Sequence, residues 1–427
     1  MSKPSNGAMW AGVDWSDCSH DVCVVDAVGD RVAAFKIPQS AEGIADLVKR
    51  LGLSASLGGV AIELKQHLLV QGLLEAGIVV FPINPKVSRR WVESLSVVGA
   101  KSDPVEAYAL ADGLRHHHKR LRPLELDDDL TRTLAAHCRA ECRLIAHRTS
   151  LVNRLQATLK TYYPVALDWF SSWTKPTAWD FVLTFPRPAA LHQATRRKLI
   201  GFLRRHNIGL SPIWQGRLEQ RADAMAWPSD PVTTEVEGEM AITLSKLLRT
   251  LEERLKLHRA QIEALFARHG DAALFRSLPG AGRKLAPRLL SHFGSRRDRY
   301  ESAQALQQLS GCVPVTHQSG KSNQTYFRQA CQKDFRTTMH LFASLSIQHS
   351  IWARACYERA RDRGIPYAQA LRIVGAKWLK IIFRMWQTQT PYDERAYLAS
   401  LIRHGSPLIE HIKTSKKCGE LTEKLLT

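Results

Sequence analysis

The sequence predicts an α/β domain followed by a mainly helical remainder, and three observations carry that reading. Short apolar runs between Trp10 and Ile83 alternate with helical stretches. Two later stretches, near residues 127–163 and 239–269, repeat apolar residues at helical spacing without interruption. Finally, 44% hydrophobic content over 427 residues is enough for more than one packed core.

Within the first domain, residues 1–125, Trp10 to Trp15 reads as a strand, Asp21 to Ala27 as a second and Arg31 to Ile37 as a third. Val28-Gly29-Asp30 turns the chain between the last two. Residues 41–51 then read as helix, Gly59 to Glu63 as strand, His67 to Ala76 as helix, Ile78 to Ile83 as strand and Lys86 to Ser96 as helix. Three hairpin-type strands followed by helix, strand, helix, strand is the order of a ribonuclease-H-like fold.

Four acids fall at telling places in that order. Asp14 lies within or just past the first strand, Glu63 at the end of the fourth, and Asp103 with Glu106 at the start of a further helix. Residues three apart on a helix share a face, so the last two can aim at one ion. Converging carboxylates repel unless a cation lies between them, and Mg²⁺ suits an all-oxygen set in phosphoryl transfer. Each acid also has a plain reading: Asp103 before Pro104 is a good helix N-cap, Asp14 a turn residue and Glu63 a solvated strand end.

In the first long helix Leu130, Leu134, Cys138, Ile145, Val152, Leu155 and Leu159 form the stripe; in the second, Met240, Leu244, Leu247, Leu251, Leu255, Ile262 and Leu265 do. Together, as residues 126–163 and 236–270, they read as a coiled-coil arm around a helical insert, 164–235. In the insert, Trp169, Trp173, Trp179 and Trp214 either pack a small core or stack bases, and the packed reading is the expectation. His116, His117 and His118 point in different directions on a helix and read as a solvated basic patch, not a metal site.

The region 271–395 opens with Leu278-Pro279-Gly280-Ala281-Gly282, a hairpin before a helix that offers backbone N–H groups to a DNA phosphate, with Arg283 and Lys284 at the helix start and Arg296 and Arg297 beyond. Further on, Ser319-Gly320 makes a polar turn that presents a hydroxyl, and Lys321, Arg328 and Arg336 are placed to hold an anion. Ser319 is the candidate nucleophile, with Ser322 as a competitor. Helices are expected near 331–347, 350–362 and 367–387, with Trp352, Trp378 and Trp386 inside, and 396–427 is left as a tail.

Sixty Lys and Arg against forty Asp and Glu give a net charge of +20, which points to a nucleic acid as partner. No apolar run is long enough to span a bilayer and no signal peptide is apparent, so a cytoplasmic protein with no membrane partner is expected. The eight cysteines are scattered without a CxxC pair and read as reduced thiols.

Taken together, GVDWSDCSHDVCVVD with Asp14, VAIE with Glu63, GAKSDPVEA with Asp103 and Glu106, LPGAG at Leu278 and CVPVTHQSGKS with Ser319 resemble insertion-sequence transposases of the DEDD class. That family also contains pilin-gene invertases and bridge-RNA-guided recombinases. The resemblance runs from about Trp10 to Asp393 and includes the closing segment KWLKIIFRMWQTQTPYDE. It implies a RuvC-like first domain binding Mg²⁺ through Asp14, Glu63, Asp103 and Glu106, and a C-terminal transposase domain whose Ser319 attacks DNA. It further implies donor and target DNA as partners, a structured guide RNA, a homo-oligomer (dimer or tetramer) and a nucleoid-associated place in a prokaryotic cell. Glu106 stands where relatives carry Asp, and Leu64-Lys65-Gln66 follows Glu63 in place of a run of small residues. The rival readings are a RuvC-like nuclease or resolvase without serine chemistry and a non-catalytic nucleic-acid-binding protein.

Overall fold

The computed structural model describes residues 7–53, 56–64, 67–95, 102–225, 227–228, 230–320 and 322–414. Lys65, Gln66, Lys101 and Lys321 of the motifs above lie outside the described residues, as do Lys416, Lys417 and Lys424 of the tail. The chain divides into two compact units at Leu126 and Asp127.

The first unit is built on a sheet of order β3-β2-β1-β4-β5. Its strands are β1 (Met9–Trp15), β2 (Ser19–Val25), β3 (Arg31–Pro38), β4 (Leu57–Ile62) and β5 (Val80–Pro82). β1 to β3 are antiparallel neighbours, while β4 and β5 run parallel to β1. Period-two alternation sorts the side chains between two faces. Ala11, Val13, Val22, Val24, Val60 and Ile62 pack against Leu47 of α1 (Ala41–Gly52) and Leu69 and Leu73 of α2 (Leu68–Glu75). Trp10, Cys23, Val25 and Ala61 pack instead with Ala107, Leu110, Ala111 and Leu114. Those belong to α4 (Asp103–His117), which follows α3 (Pro85–Leu95).

Glycines let α4 approach this closely. A Cβ on Gly12 of β1 would stand 2.1 Å from the Ala107 carbonyl oxygen, and one on Gly113 of α4 would stand 2.2 Å from the Trp91 ring of α3. The histidine run at the end of α4 is not uniformly solvated as expected: His118 stacks on Trp10 at 4.4 Å and His117 on Trp91 at 5.6 Å, and only His116 is exposed.

In the second unit α5 (Asp129–Tyr162) and α11 (Pro231–Arg268) lie antiparallel along one another. Thr131 meets His269 at one end, His137 meets His258, Glu141 meets Arg259, and Arg148 meets Glu252 further along. Asp128 caps α5 by accepting from the Thr131 N–H and hydroxyl. α11 begins eight residues before the expected start, capped by Asp230 with Pro231 at its first position. Its buried stripe also differs: Ala241, Leu244, Leu248, Leu255, Ile262 and Phe266 are inside, whereas Met240 and Leu247 are exposed.

Between these helices run α6 (Val165–Asp168), α7 (Pro176–Thr184), α8 (Pro188–His192), α9 (Arg196–Arg205) and α10 (Pro212–Gln220). They close over a core that includes Trp169, Trp173 and Trp179, all buried, with Trp214 packed at its edge. Base stacking by the three buried indoles is thereby ruled out; burial of each ring contributes roughly 1.5–3 kcal/mol.

At the other end of α5, Leu134 and Cys138 join Ile262 and Phe266 in a second core with the C-terminal helices. These are α12 (Ala272–Arg276), α13 (Gly282–Phe293), α14 (Ala303–Leu309), α15 (Lys333–Ser346), α16 (Ile351–Asp362) and α17 (Tyr367–Thr388). Trp352, Trp378 and Trp386 are buried there, as expected. The expected tail is in part ordered: α18 (Glu394–Arg403) and α19 (Leu408–Thr414) follow, and Leu408 is buried. Glu394 fixes the join, accepting from the Ser350 hydroxyl at 3.0 Å and the Ile351 N–H at 2.9 Å at the start of α16. A polar step separates the two cores, where buried Glu141 pairs with Arg288 at 2.8 Å and Arg259 at 3.0 Å.

Candidate functional site

Asp14 and Glu63 leave the sheet at the same end. Val13 pairs with Ile62 across the parallel β1–β4 ladder, so the next residues, Asp14 and Glu63, emerge side by side. Alternation places both on the α4 face, since Asp14 follows Trp10 and Gly12, and Glu63 follows Ala61. Asp21, paired directly with Asp14 on β2, shares that face through Cys23 and Val25 and is held by Lys36 at 3.1 Å.

The start of α4 completes the group. Ser102, not Asp103, is the N-cap, and the Glu106 and Val105 N–H groups reach the Ser102 carbonyl. Asp103 therefore sits inside the first turn with Glu106, and its carboxylate is not used as a cap. The charges sense one another: burial, then Glu106, Asp103, Glu63 and Asp21 in that order, push the Asp14 carboxyl up to about 7. Ser88 of α3 donates a short hydrogen bond to Glu63 and is itself buried. Neither Ser88 nor Asp21 was among the sequence candidates; the Asp-x-x-x-x-x-x-Asp spacing around the β1–β2 turn was the available signal for Asp21, and none pointed to Ser88.

Those donors are all carboxylates, the set a hard divalent cation takes. Among the described residues no three His, Cys, Asp or Glu side chains already surround one point closely enough to hold an ion. The turn-residue reading does not account for Asp14, which lies within β1 opposite Asp21 and is half-buried among four like charges.

Ser319 lies in the second unit, at the tip of a two-stranded hairpin of β6 (Val315–Ser319) and β7 (Ser322–Tyr326). Ser319 pairs with Ser322, leaving a two-residue loop that begins at Gly320 with φ 54°, the left-handed geometry such loops need. From Thr316 onward the described residues of both strands are exposed. Arg328 and Arg336 serve the base of this hairpin. Arg328 Nε donates to the Val313 carbonyl at 3.3 Å, and Arg336 donates a short bond to the Arg328 carbonyl. The guanidiniums of Arg336 and Arg372 both lie over the Phe327 ring, at 4.5 and 4.6 Å.

The glycine turn before α13 has Gly280 at φ 78° against the Leu345 backbone, while Gly282, Arg283 and Lys284 are exposed. Arg283 pairs with Glu263 at 2.7 Å and Arg296 with Asp298 at 2.5 Å. Arg297 turns inward, pairing with Asp271 and lying over Trp386. Among the described residues the cysteines are free thiols, and no helix is long and apolar enough to cross a membrane.

Two family models match separate stretches of the chain, the first of which runs past the boundary at Leu126 to the end of α5. Residues 11–164 match a transposase model of the IS110 DEDD type, and residues 272–358 match the model of the IS116/IS110/IS902 transposase family. A protein named as the mini-circle transposase of IS117 in Streptomyces coelicolor is 30% identical over 407 residues, 92% of this chain and 98% of that protein. The 43.6 kDa protein of insertion element IS110 from the same organism is 25% identical over the same shares. The 42 kDa protein of IS900 from Mycobacterium paratuberculosis is 25% identical over 92% of this chain and 98% of its own length. With acids at one sheet end, a strongly basic composition and this coverage, the chain belongs to the IS110/IS116/IS117 family of DNA transposases.

Proposed function

We propose that this transposase cuts and rejoins DNA by serine attack assisted by a divalent cation. The acidic group supports the first half of this reading, and it is the observation that carries it: four carboxylates from β1, β4 and α4 gather at one end of a sheet whose strand order suits a RuvC-like domain. Asp14, Glu63, Asp103 and Glu106 would hold Mg²⁺, which when bound supplies charge neutralisation at the phosphodiester oxygens. Ser88 keeps the Glu63 carboxylate turned to that task. Ser319 Oγ forms a bond to phosphorus as the bond to one sugar oxygen breaks, and the hydroxyl proton ends on that oxygen. The reverse step with another strand's hydroxyl restores Ser319, so the phosphodiester is conserved without an external energy source.

In this reading residues 1–125 are the metal-binding domain, 126–163 with 236–270 a coiled-coil arm around the 164–235 insert, and 271–395 the transposase domain. The glycine turn with Gly280, Gly282, Arg283 and Lys284, together with Arg296, Lys321, Arg328 and Arg336, contacts nucleic acid, whereas Arg297 is taken up by Asp271 and Trp386. The chain works as a homo-oligomer, and a structured RNA selects donor and target by base pairing while the charge of +20 holds backbones.

The test is amplification of circular or newly inserted element junctions from cells carrying the gene with its native flanks. Wild type forms junctions, whereas Asp14→Ala and Ser319→Ala do not. Co-expressing these two variants restores junctions if the acidic group of one subunit serves the serine of another. Junctions from Ser319→Ala alone would overturn the serine reading, and strand cleavage without junctions in that variant would leave a metal-dependent nuclease with water as the attacking group.

A further inference from the structure

Beside the base of the serine hairpin, α15 and α17 enclose a cleft of about 300 Å³. Cys312, Met339 and Leu371 form an apolar floor, and Arg336, His340 and Arg372 stand among its other walls. None of the described residues lining it is acidic. Among the described residues the buried Nε of Arg336 has no hydrogen-bond partner. Burial lowers the proton affinity of both Arg372 and His340; Arg336 adds to the effect on Arg372, and Arg372 to that on His340.

The rim is aromatic. Phe327, which lies under the guanidiniums of Arg336 and Arg372, and Tyr367, whose ring meets His340 edge-on at 6.3 Å, are 42% and 50% exposed. Guanidiniums, exposed rings and an apolar floor without a counter-charge form the combination that binds unpaired strands, where each base offers a flat face and each linkage an anion. A volume at the small end of ligand pockets suits one base, not a stacked run.

We propose that this cleft receives a single unpaired nucleotide, its base on the Cys312, Met339 and Leu371 floor and its phosphate between Arg336 and Arg372. β7 runs in four residue steps, about 13 Å of strand, from Ser322 opposite Ser319 to Tyr326, next to Phe327 at the cleft's rim. The cleft thus keeps a strand unstacked close to the hairpin, as enzymes that handle displaced bases do. It draws on the family's action on DNA and is independent of Ser319 being the nucleophile.

The experiment is fluorescence anisotropy of the full chain with labelled single-stranded deoxy- and ribo-oligonucleotides and with a duplex of the same sequence. Thr337→Trp puts a ring into the cleft from an exposed wall position, and Arg372→Gln removes one charge. Both variants are expected to weaken single-strand binding roughly ten- to a hundredfold and to leave duplex binding within about twofold. The deoxy and ribo arms tell whether the nucleotide comes from the element's DNA or from an RNA. Unchanged single-strand affinity in both variants, or an equal loss on the duplex, overturns the proposal. If Thr337→Trp lowers the melting temperature, Arg372→Gln decides. Ser319→Ala should bind single strands as wild type does, so failure of the serine reading and failure of this one remain separable.

Discussion

Asp14 lies one residue from the end of β1 and Ser319 ends β6, but the two strands are held in opposite ways. β1 is the central strand of its sheet, with Ala11 and Val13 fully buried and a helix pressed onto Gly12. β6 has one partner and an exposed surface from Thr316 to its end, and its anchoring is at the base, through Arg328, Arg336 and Phe327. A cation site needs several oxygens placed to within a fraction of an ångström, so its ligands belong on rigid elements. The nucleophile proposed at Ser319, which would meet a DNA strand and then release it, is better carried on a short projection. Packing therefore sets the acidic group, whereas local turn geometry sets the serine.

The largest effect is expected from removing the groups to which the proposal assigns the chemistry. Asp14→Asn and Ser319→Ala should each lower junction formation on the order of a thousandfold or more, with melting temperatures close to wild type. Ser322→Ala, its hairpin partner, should retain most activity; a loss as deep as that of Ser319→Ala would move the nucleophile to the other strand.

Gly12→Val disturbs the rigid element. The added side chain cannot fit against the Ala107 carbonyl, so α4 must shift, carrying Asp103 and Glu106 with it. We expect about 1–3 kcal/mol of destabilisation and loss of junctions. The same change at Gly320 meets open space and acts only through the strained φ, giving a smaller loss of activity and little loss of stability. Equal thermal losses at both sites would erase the proposed difference.

Ser88→Ala should be milder. It leaves the fold intact and frees the Glu63 carboxylate, lowering activity about ten- to a hundredfold, with a matching rise in the Mg²⁺ needed for half-maximal junction formation. An unaltered Mg²⁺ requirement would show that Ser88 is only a buried hydroxyl completing the start of α3.

Much of this was legible because it follows from local rules. Alternation gave the strands, strand ends and a helix start gave the acids, and Ser319-Gly320 gave the hairpin turn. What escaped depended on pieces distant in sequence. Ser88 reaches Glu63 from another helix, and nothing near Gly12 tells that α4 will rest on it. The Asp230-Pro231 start of α11 was readable by the same cap rule applied at Asp103 and was missed because the apolar stripe begins later. That rule in turn misplaced the cap of α4 by one residue, since Ser102 also fits it. α18 and α19 escaped because the charged surface of this segment hides the single buried Leu408.

The smallest effect concerns the helical core below the hairpin. His292 stacks on Phe335 at 4.5 Å and contacts the Thr338 hydroxyl at 3.2 Å. Burial first, then Arg288, Arg139 and Arg299, push its pKa down to about 3, against about 6.5 in an unfolded chain. Because the folded value is depressed, the unfolded chain binds the proton more readily between these two values. Stability from His292 is therefore complete above about 6.5 and is lost as pH falls towards 3, at no more than about 1.4 kcal/mol per pH unit. His292→Gln should flatten the fall in melting temperature between neutral and mildly acid pH while leaving junction formation at neutral pH near wild type. If the slope survives the substitution, other groups govern acid sensitivity, and the hairpin's support is not the pH-dependent part of this unit.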